Sequence, residues 1–164
     1  MCATYLNTNT KIEDLMIEGF SPTPIRADYQ GPSTRPRGGV CLYHKETTTI
    51  KHRPDLEIMD ETIVAEIKIN KKSIIYILSY RSPSQSTSEF NKYIQDLEKT
   101  YNKALAENPY MIVLTGDYNA RSPLLWQDEQ KQTAEGKAMA DFCTKNFLQQ
   151  IIDEPTHILK HVLT

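Results

Sequence analysis

Leu114-Thr115-Gly116-Asp117-Tyr118-Asn119-Ala120 sets an acid and an amide two residues apart at the end of an apolar run. An Asp there can orient or deprotonate a water, and an Asn can donate to a phosphate oxygen. The plainer alternative is a turn in which Gly, Asp and Asn serve only backbone geometry. Ser79-Tyr80-Arg81-Ser82-Pro83-Ser84-Gln85 closes a second apolar run. Tyr80 offers a hydroxyl, and Arg81 offers a planar fork that suits phosphate. Here the plainer alternative is an aromatic cap on the core beside a solvated Arg. Asp153-Glu154-Pro155-Thr156-His157 groups two carboxylates with a His. No other His stands at ligand spacing from His157, and His44, His52 and His161 are dispersed, so a zinc site is not expected. Arg37-Gly38-Gly39 is only superficially a phosphate loop, because neither a P-loop nor a GxGxxG pattern follows. No GxSxG elbow is present.

These residues need elements to hold them. Ser21 to Gly39 is rich in Pro, Gly and Arg and reads as an irregular connection. Val40 to Tyr43 follows as an apolar strand, and the β-branched Thr47 to Ile50 as another. Ile63, Ala65, Ile67 and Ile69 alternate with Val64, Glu66 and Lys68, the period of a half-buried strand. Asn70-Lys71-Lys72 is a turn, and Ile74 to Leu78 is a strand apolar on both faces, so the two strands form a hairpin. Phe90, Tyr93, Ile94, Leu97, Tyr101 and Leu105 share one face of an amphipathic helix, with Ser86, Thr87 and Ser88 as candidate caps. Tyr110 to Thr115 is a buried strand ended by Gly116. A second helix covers Glu135 to Phe147, with Ala138, Phe142 and Cys143 inward. Ile151-Ile152 opens a short strand stopped by Pro155. Strands and helices in this order make a layered α/β domain, in which functional residues commonly sit where strands end.

Composition narrows the classes. At 164 residues the chain is about one domain long on the usual prior of roughly 100–200 residues. Hydrophobic residues at 39% and charged residues at 24% argue against wholesale disorder. No apolar run is long enough to span a bilayer and no signal peptide opens the chain, so an intracellular protein of the nucleus or cytoplasm is expected. Cys2, Cys41 and Cys143 are scattered, which suits a reducing compartment. A net charge of −2 and a pI near 6.1 weigh against a dedicated nucleic-acid binder but not against an enzyme that grips a few phosphates.

The motifs also fall in one collinear order: Arg37-Gly38-Gly39-Val40-Cys41-Leu42-Tyr43, Ser79-Tyr80-Arg81-Ser82-Pro83-Ser84, Gly116-Asp117-Tyr118-Asn119-Ala120, then Glu154-Pro155-Thr156-His157. In this the chain resembles the endonuclease/exonuclease/phosphatase superfamily, and more narrowly the apurinic-endonuclease-like domain of non-LTR (LINE/jockey-type) retrotransposons. The resemblance implies a four-layer α/β/β/α sandwich over residues 1–164, incomplete at both ends. It implies Mg²⁺-dependent hydrolysis of a phosphodiester that nicks DNA, in a monomer whose parent polyprotein carries a reverse transcriptase. By the same resemblance Asp117 activates water, Asn119 holds the phosphate, and Tyr80 steadies the phosphate or leaving group. Arg81, Thr156 and Trp126 are then substrate-facing, and His161 takes the place of the terminal catalytic His, beside Lys160 where the pattern has Asp.

The same resemblance marks departures. Ala3-Thr4-Tyr5-Leu6 stands where Glu-Thr-x-Leu is expected, so Ala3 replaces the metal-binding Glu and Asp117 remains as the metal ligand. The first strand, with its phosphate-gripping Asn, has no counterpart. The expectation is therefore an endonuclease domain of impaired activity. Two alternatives stand beside it: a non-catalytic nucleic-acid or protein-binding module on the same fold, and a phosphoesterase acting on a small substrate.

Overall fold

The computed structural model describes residues 4, 6, 9–21, 24–28, 38–126 and 129–152. The chain divides into two compact units, Met1–Tyr118 and Asn119–Thr164. The first holds strands β1 (Ile25–Ala27), β2 (Val40–Leu42), β3 (Ile50–His52), β4 (Thr62–Ile69) and β5 (Lys72–Tyr80), helix α1 (Thr87–Ala106) and strand β6 (Met111–Asp117). The second holds helix α2 (Ala134–Lys145).

The expected hairpin is β4–β5, paired from Ile69↔Lys72 to Thr62↔Ser79. Asn70 and Lys71 turn it with φ of 50° and 67°, the two positive φ values of a primed turn, whose twist matches the flanking strands. After β5 the chain crosses over through α1 and returns as β6, parallel to β5. The sheet order is β3-β4-β5-β6, and a separate sheet pairs β1 with β2.

Alternation along the hairpin decides what each face buries. Ile63, Leu78 and Tyr80 point to one face and pack with Val40, Ile25, Ala27 and Leu42 of the small sheet. Thr62 and Ser79 point to the other, where the Thr62 hydroxyl donates to Ser79 Oγ (3.0 Å) and Ser79 Oγ bonds the Tyr93 hydroxyl of α1 (2.9 Å). Ile63, Ile75, Ile77 and Leu97 are fully buried, each contributing roughly 1.5–3 kcal/mol. The first unit thus stacks a small sheet, a larger sheet and a helix.

Helix α1 starts on a capping box: Ser86 Oγ accepts from the Glu89 amide, and Glu89 Oε2 accepts from the Ser86 amide. Its buried stripe is Phe90, Tyr93, Leu97, Thr100, Tyr101 and Ala104, so Leu105, expected inward, lies outside. Asp96 is also buried, held by Lys92 and by Lys99 at 2.8 Å. At the far end, buried Arg53 forks onto Asp55 (Nη2 to Oδ2, 2.7 Å) and reaches Glu107 (2.9 Å) and Glu66 (3.4 Å). One cation thereby ties a 3₁₀ turn (Pro54–Leu56), β4 and the end of α1 together.

In the second unit Thr133 caps α2, its Oγ1 accepting from the Gly136 amide at 2.9 Å. Met139, Ala140 and Phe142 are buried.

Several expectations need correcting. β1 lies inside the stretch read as irregular, because three residues between prolines carry no period to detect. The Thr47–Ile50 strand sits later, at Ile50–His52. β6 runs on through Gly116 to Asp117, and is half-buried rather than buried because it is the edge of its sheet among the described strands. α2 stops at Lys145, and Phe147 takes φ +54° and is 95% exposed, since a left-handed residue cannot continue the helix. Ile151 and Ile152 are exposed and join no strand among the described residues.

Candidate active site

β5 and β6 are parallel, so their carboxyl ends finish at one sheet edge, and the last pair in register is Tyr80↔Asp117. This brings together the two residues that the sequence places 37 positions apart. The close approach depends on Gly116. A Cβ there would lie 1.9 Å from the Ser79 carbonyl oxygen, so no side chain fits between the two strands just below the site.

Past the strand ends, Arg81 continues the ladder: its amide donates to the Asp117 carbonyl at 2.9 Å. Its Nε donates to the Tyr118 carbonyl at 2.7 Å, and its guanidinium lies 5.2 Å from the Phe90 ring centroid. Arg81 is only 3% exposed. A guanidinium so placed grips the turn that carries Asp117. Asp117 itself is exposed. Tyr80 is 7% exposed, its ring forming part of the core between the two sheets.

A carboxylate not singled out in the sequence stands beside Tyr80. Glu61 Oε1 accepts from the Gly39 amide at 2.7 Å, and the Glu61 carbonyl accepts from the Tyr80 amide at 3.1 Å. Burial pushes the Glu61 carboxyl above the usual glutamate range, Asp60 adds to the rise, and the Gly39 amide opposes it. A Cβ on Gly38 would lie 2.0 Å from Glu61 Oε1 and 3.0 Å from Tyr80 Cε1. The signal was present in the hairpin: counting back from the Asn70-Lys71 turn sets Glu61 opposite Tyr80, one step beyond the Thr62↔Ser79 pair.

Asn119 and Trp126 belong to the second unit. Asn119 opens the second unit in the left-handed region, φ +46°, a conformation Asn tolerates, and is exposed. Trp126, half-buried in that unit, donates its amide to the Ser122 carbonyl at 3.0 Å. Thr156, His161 and Ala3 lie outside the described residues, as does the Asp153–His157 cluster. Thr4 is described, and its amide donates to the Gly39 carbonyl at 3.3 Å.

Among the described residues no three His, Cys, Asp or Glu side chains stand together as a metal-holding group. Asp117 is the carboxylate that the described residues place at these strand ends, and Mg²⁺ ordinarily takes one or two carboxylates together with substrate phosphates. No helix among the described residues is long and apolar enough to cross a membrane.

The described residues thus make a mixed α/β fold of two sheets and two α-helices. Among solved structures, this fold is similar to that of the endonuclease domain of TRAS1, a telomere-specific non-LTR retrotransposon. The TM-score is 0.64 at 16% identity, over 86% of this chain. The match spans 58% of the TRAS1 domain's own length. No family profile and no curated protein matches the sequence.

Proposed function

We propose that the chain is a retroelement-type endonuclease domain that hydrolyses DNA phosphodiester bonds, at a rate below that of a complete site. The observation that carries this reading is the Tyr80↔Asp117 register pair at the carboxyl ends of β5 and β6, on a fold similar to an endonuclease domain. In this reading Asp117 takes a proton from the attacking water, Asn119 donates its amide to a phosphate oxygen, and the Tyr80 hydroxyl steadies the phosphate or leaving oxygen. General base action of this kind supplies roughly 10²–10⁴-fold, far short of what phosphodiester cleavage needs. Mg²⁺ belongs to the reading as a cofactor to be tested, and no step is assigned to it.

Arg81 enters as a positioning residue. With its Nε on the Tyr118 carbonyl and its guanidinium carbon 5.2 Å from the Phe90 ring centroid, it holds the Asp117 turn from within the fold.

The test is plasmid nicking by folded chain, with and without Mg²⁺ and chelator, beside Asp117→Asn. Slow nicking that needs Mg²⁺ and falls at least about tenfold in Asp117→Asn is expected. A folded chain that does not nick, or that nicks equally well as Asp117→Asn, refutes the reading.

A further inference from the structure

We propose that Glu61 is a positioning residue for Tyr80, acting through the Gly38–Gly39 backbone. The inference rests on the nuclease reading for its kinetic arm only.

Four contacts meet at this point. The Glu61 carboxylate accepts from the Gly39 amide at 2.7 Å. The Glu61 carbonyl accepts from the Tyr80 amide at 3.1 Å, which extends the β4–β5 ladder one step beyond Ser79. The space a Cβ would need on Gly38 is filled by Glu61 Oε1 and bordered by Tyr80 Cε1. Val40, next after Gly39, packs directly in the cluster that holds the Tyr80 ring. Glu61 therefore binds Tyr80 by its main chain and, with its side chain, binds the segment that walls the Tyr80 ring. Without the carboxylate the Gly39 amide loses its acceptor and the ring loses that wall.

A half-buried glutamate is a costly way to hold a loop, since burial disfavours its charged form. A bond to a charged acceptor is stronger than a neutral one, and Oε1 reaches the amide from the adjacent strand without a bridging water. The arrangement fixes a ring whose hydroxyl the reaction uses, at the last residue of β5 and one step outside β4.

The experiment compares wild type, Glu61→Gln and Glu61→Ala, each also in a Tyr80→Phe background. Gln keeps an oxygen acceptor for the Gly39 amide; Ala does not. Hydrogen exchange at the Gly39 amide is expected to speed up at least about tenfold in Glu61→Ala and by far less in Glu61→Gln. The Tyr80 ring resonances are expected to move in Glu61→Ala. In nicking, kcat is expected to fall about tenfold in Glu61→Ala with KM unchanged, to recover largely in Glu61→Gln, and to fall no further when Glu61→Ala is added to Tyr80→Phe.

Unchanged Tyr80 resonances in folded Glu61→Ala overturn the proposal. Additive losses in the double variant overturn it as well, because they separate Glu61 from Tyr80. Should wild type fail to nick, the nuclease reading falls alone, and the exchange and ring signals still decide the role of Glu61.

Discussion

Replacing Gly116 by Ala tests whether the close approach of β5 and β6 is what sets Tyr80 beside Asp117. The added Cβ would lie 1.9 Å from the Ser79 carbonyl oxygen and 2.9 Å from its carbon. A carbon and a carbonyl oxygen in contact settle near ~3.3 Å, so the strands must part by about 1.4 Å. The neighbouring bond, from the Arg81 amide to the Asp117 carbonyl, is 2.9 Å and would stretch past hydrogen-bond range. Overpacking of this kind costs about 1–3 kcal/mol, and forcing an L-residue to φ +152° adds about 1–2 kcal/mol. The sum is about 3 kcal/mol. With a urea m-value of about 2 kcal/mol/M, the unfolding midpoint should fall by about 1.5 M. Urea titration followed by circular dichroism reads this directly. Nicking should fall further than the unfolded fraction explains, because Tyr80 and Asp117 follow immediately after the residues that clash. A midpoint lowered by less than about 0.3 M, with m unchanged, would refute the argument: the strands would be able to part freely, and the site would not depend on their spacing.

Arg81→Met keeps much of the stem but loses the bond to the Tyr118 carbonyl and the stacking on Phe90; a stability loss of about 2 kcal/mol is expected. The salt dependence of DNA binding should keep its slope in this variant, whereas a residue bound to phosphate would lower the slope by about one. Asp96 is held below the usual aspartate range by its bonds to Lys92 and then Lys99, with burial opposing them. A lowered folded-state pKa gives stability that is present above the unfolded value of about 4 and is lost as pH falls through the folded one. Wild type should therefore lose more stability than Asp96→Asn between neutral pH and about pH 2, as read from urea midpoints at both.

Much of the positioning machinery can be read from periodicity. The β4–β5 hairpin, the apolar run of β5 and the α1 stripe each span enough residues for a period to show, but β4 is buried on both faces at its start rather than half-buried, and β5 and β6 run on past the Leu78 and Thr115 read as their ends to Tyr80 and Asp117. Side-chain placement is less legible. Arg81 reads as a phosphate ligand by residue type, and the structure adds contacts the sequence does not show, its guanidinium over Phe90 and its Nε on the Tyr118 carbonyl. Glu61 precedes an alternating strand with no mark of its own, and becomes visible only when the hairpin register is counted back from the turn. β1 escapes because three residues contain no period, and the apolar run of β6 suggests burial because such a run does not say which neighbours a strand will have. Ile151-Ile152 is apolar and β-branched, but a strand forms only where a partner edge is available, and among the described residues it has none.

The parallel crossover also orders events in time. Tyr80 and Asp117 meet only after the stretch between them has folded back through α1, and the Arg81–Tyr118 contact that follows spans 37 residues. The β4–β5 hairpin, closed by a two-residue turn, needs no such loop and belongs to events of about 1–10 μs. Joining β6 costs the entropy of closing the long loop, so that step comes later. The hairpin, with Glu61 already opposite Tyr80, is therefore a template that waits for the acid. In pulse-labelled hydrogen exchange, amides bonded between β4 and β5 should gain protection before those bonded between β5 and β6.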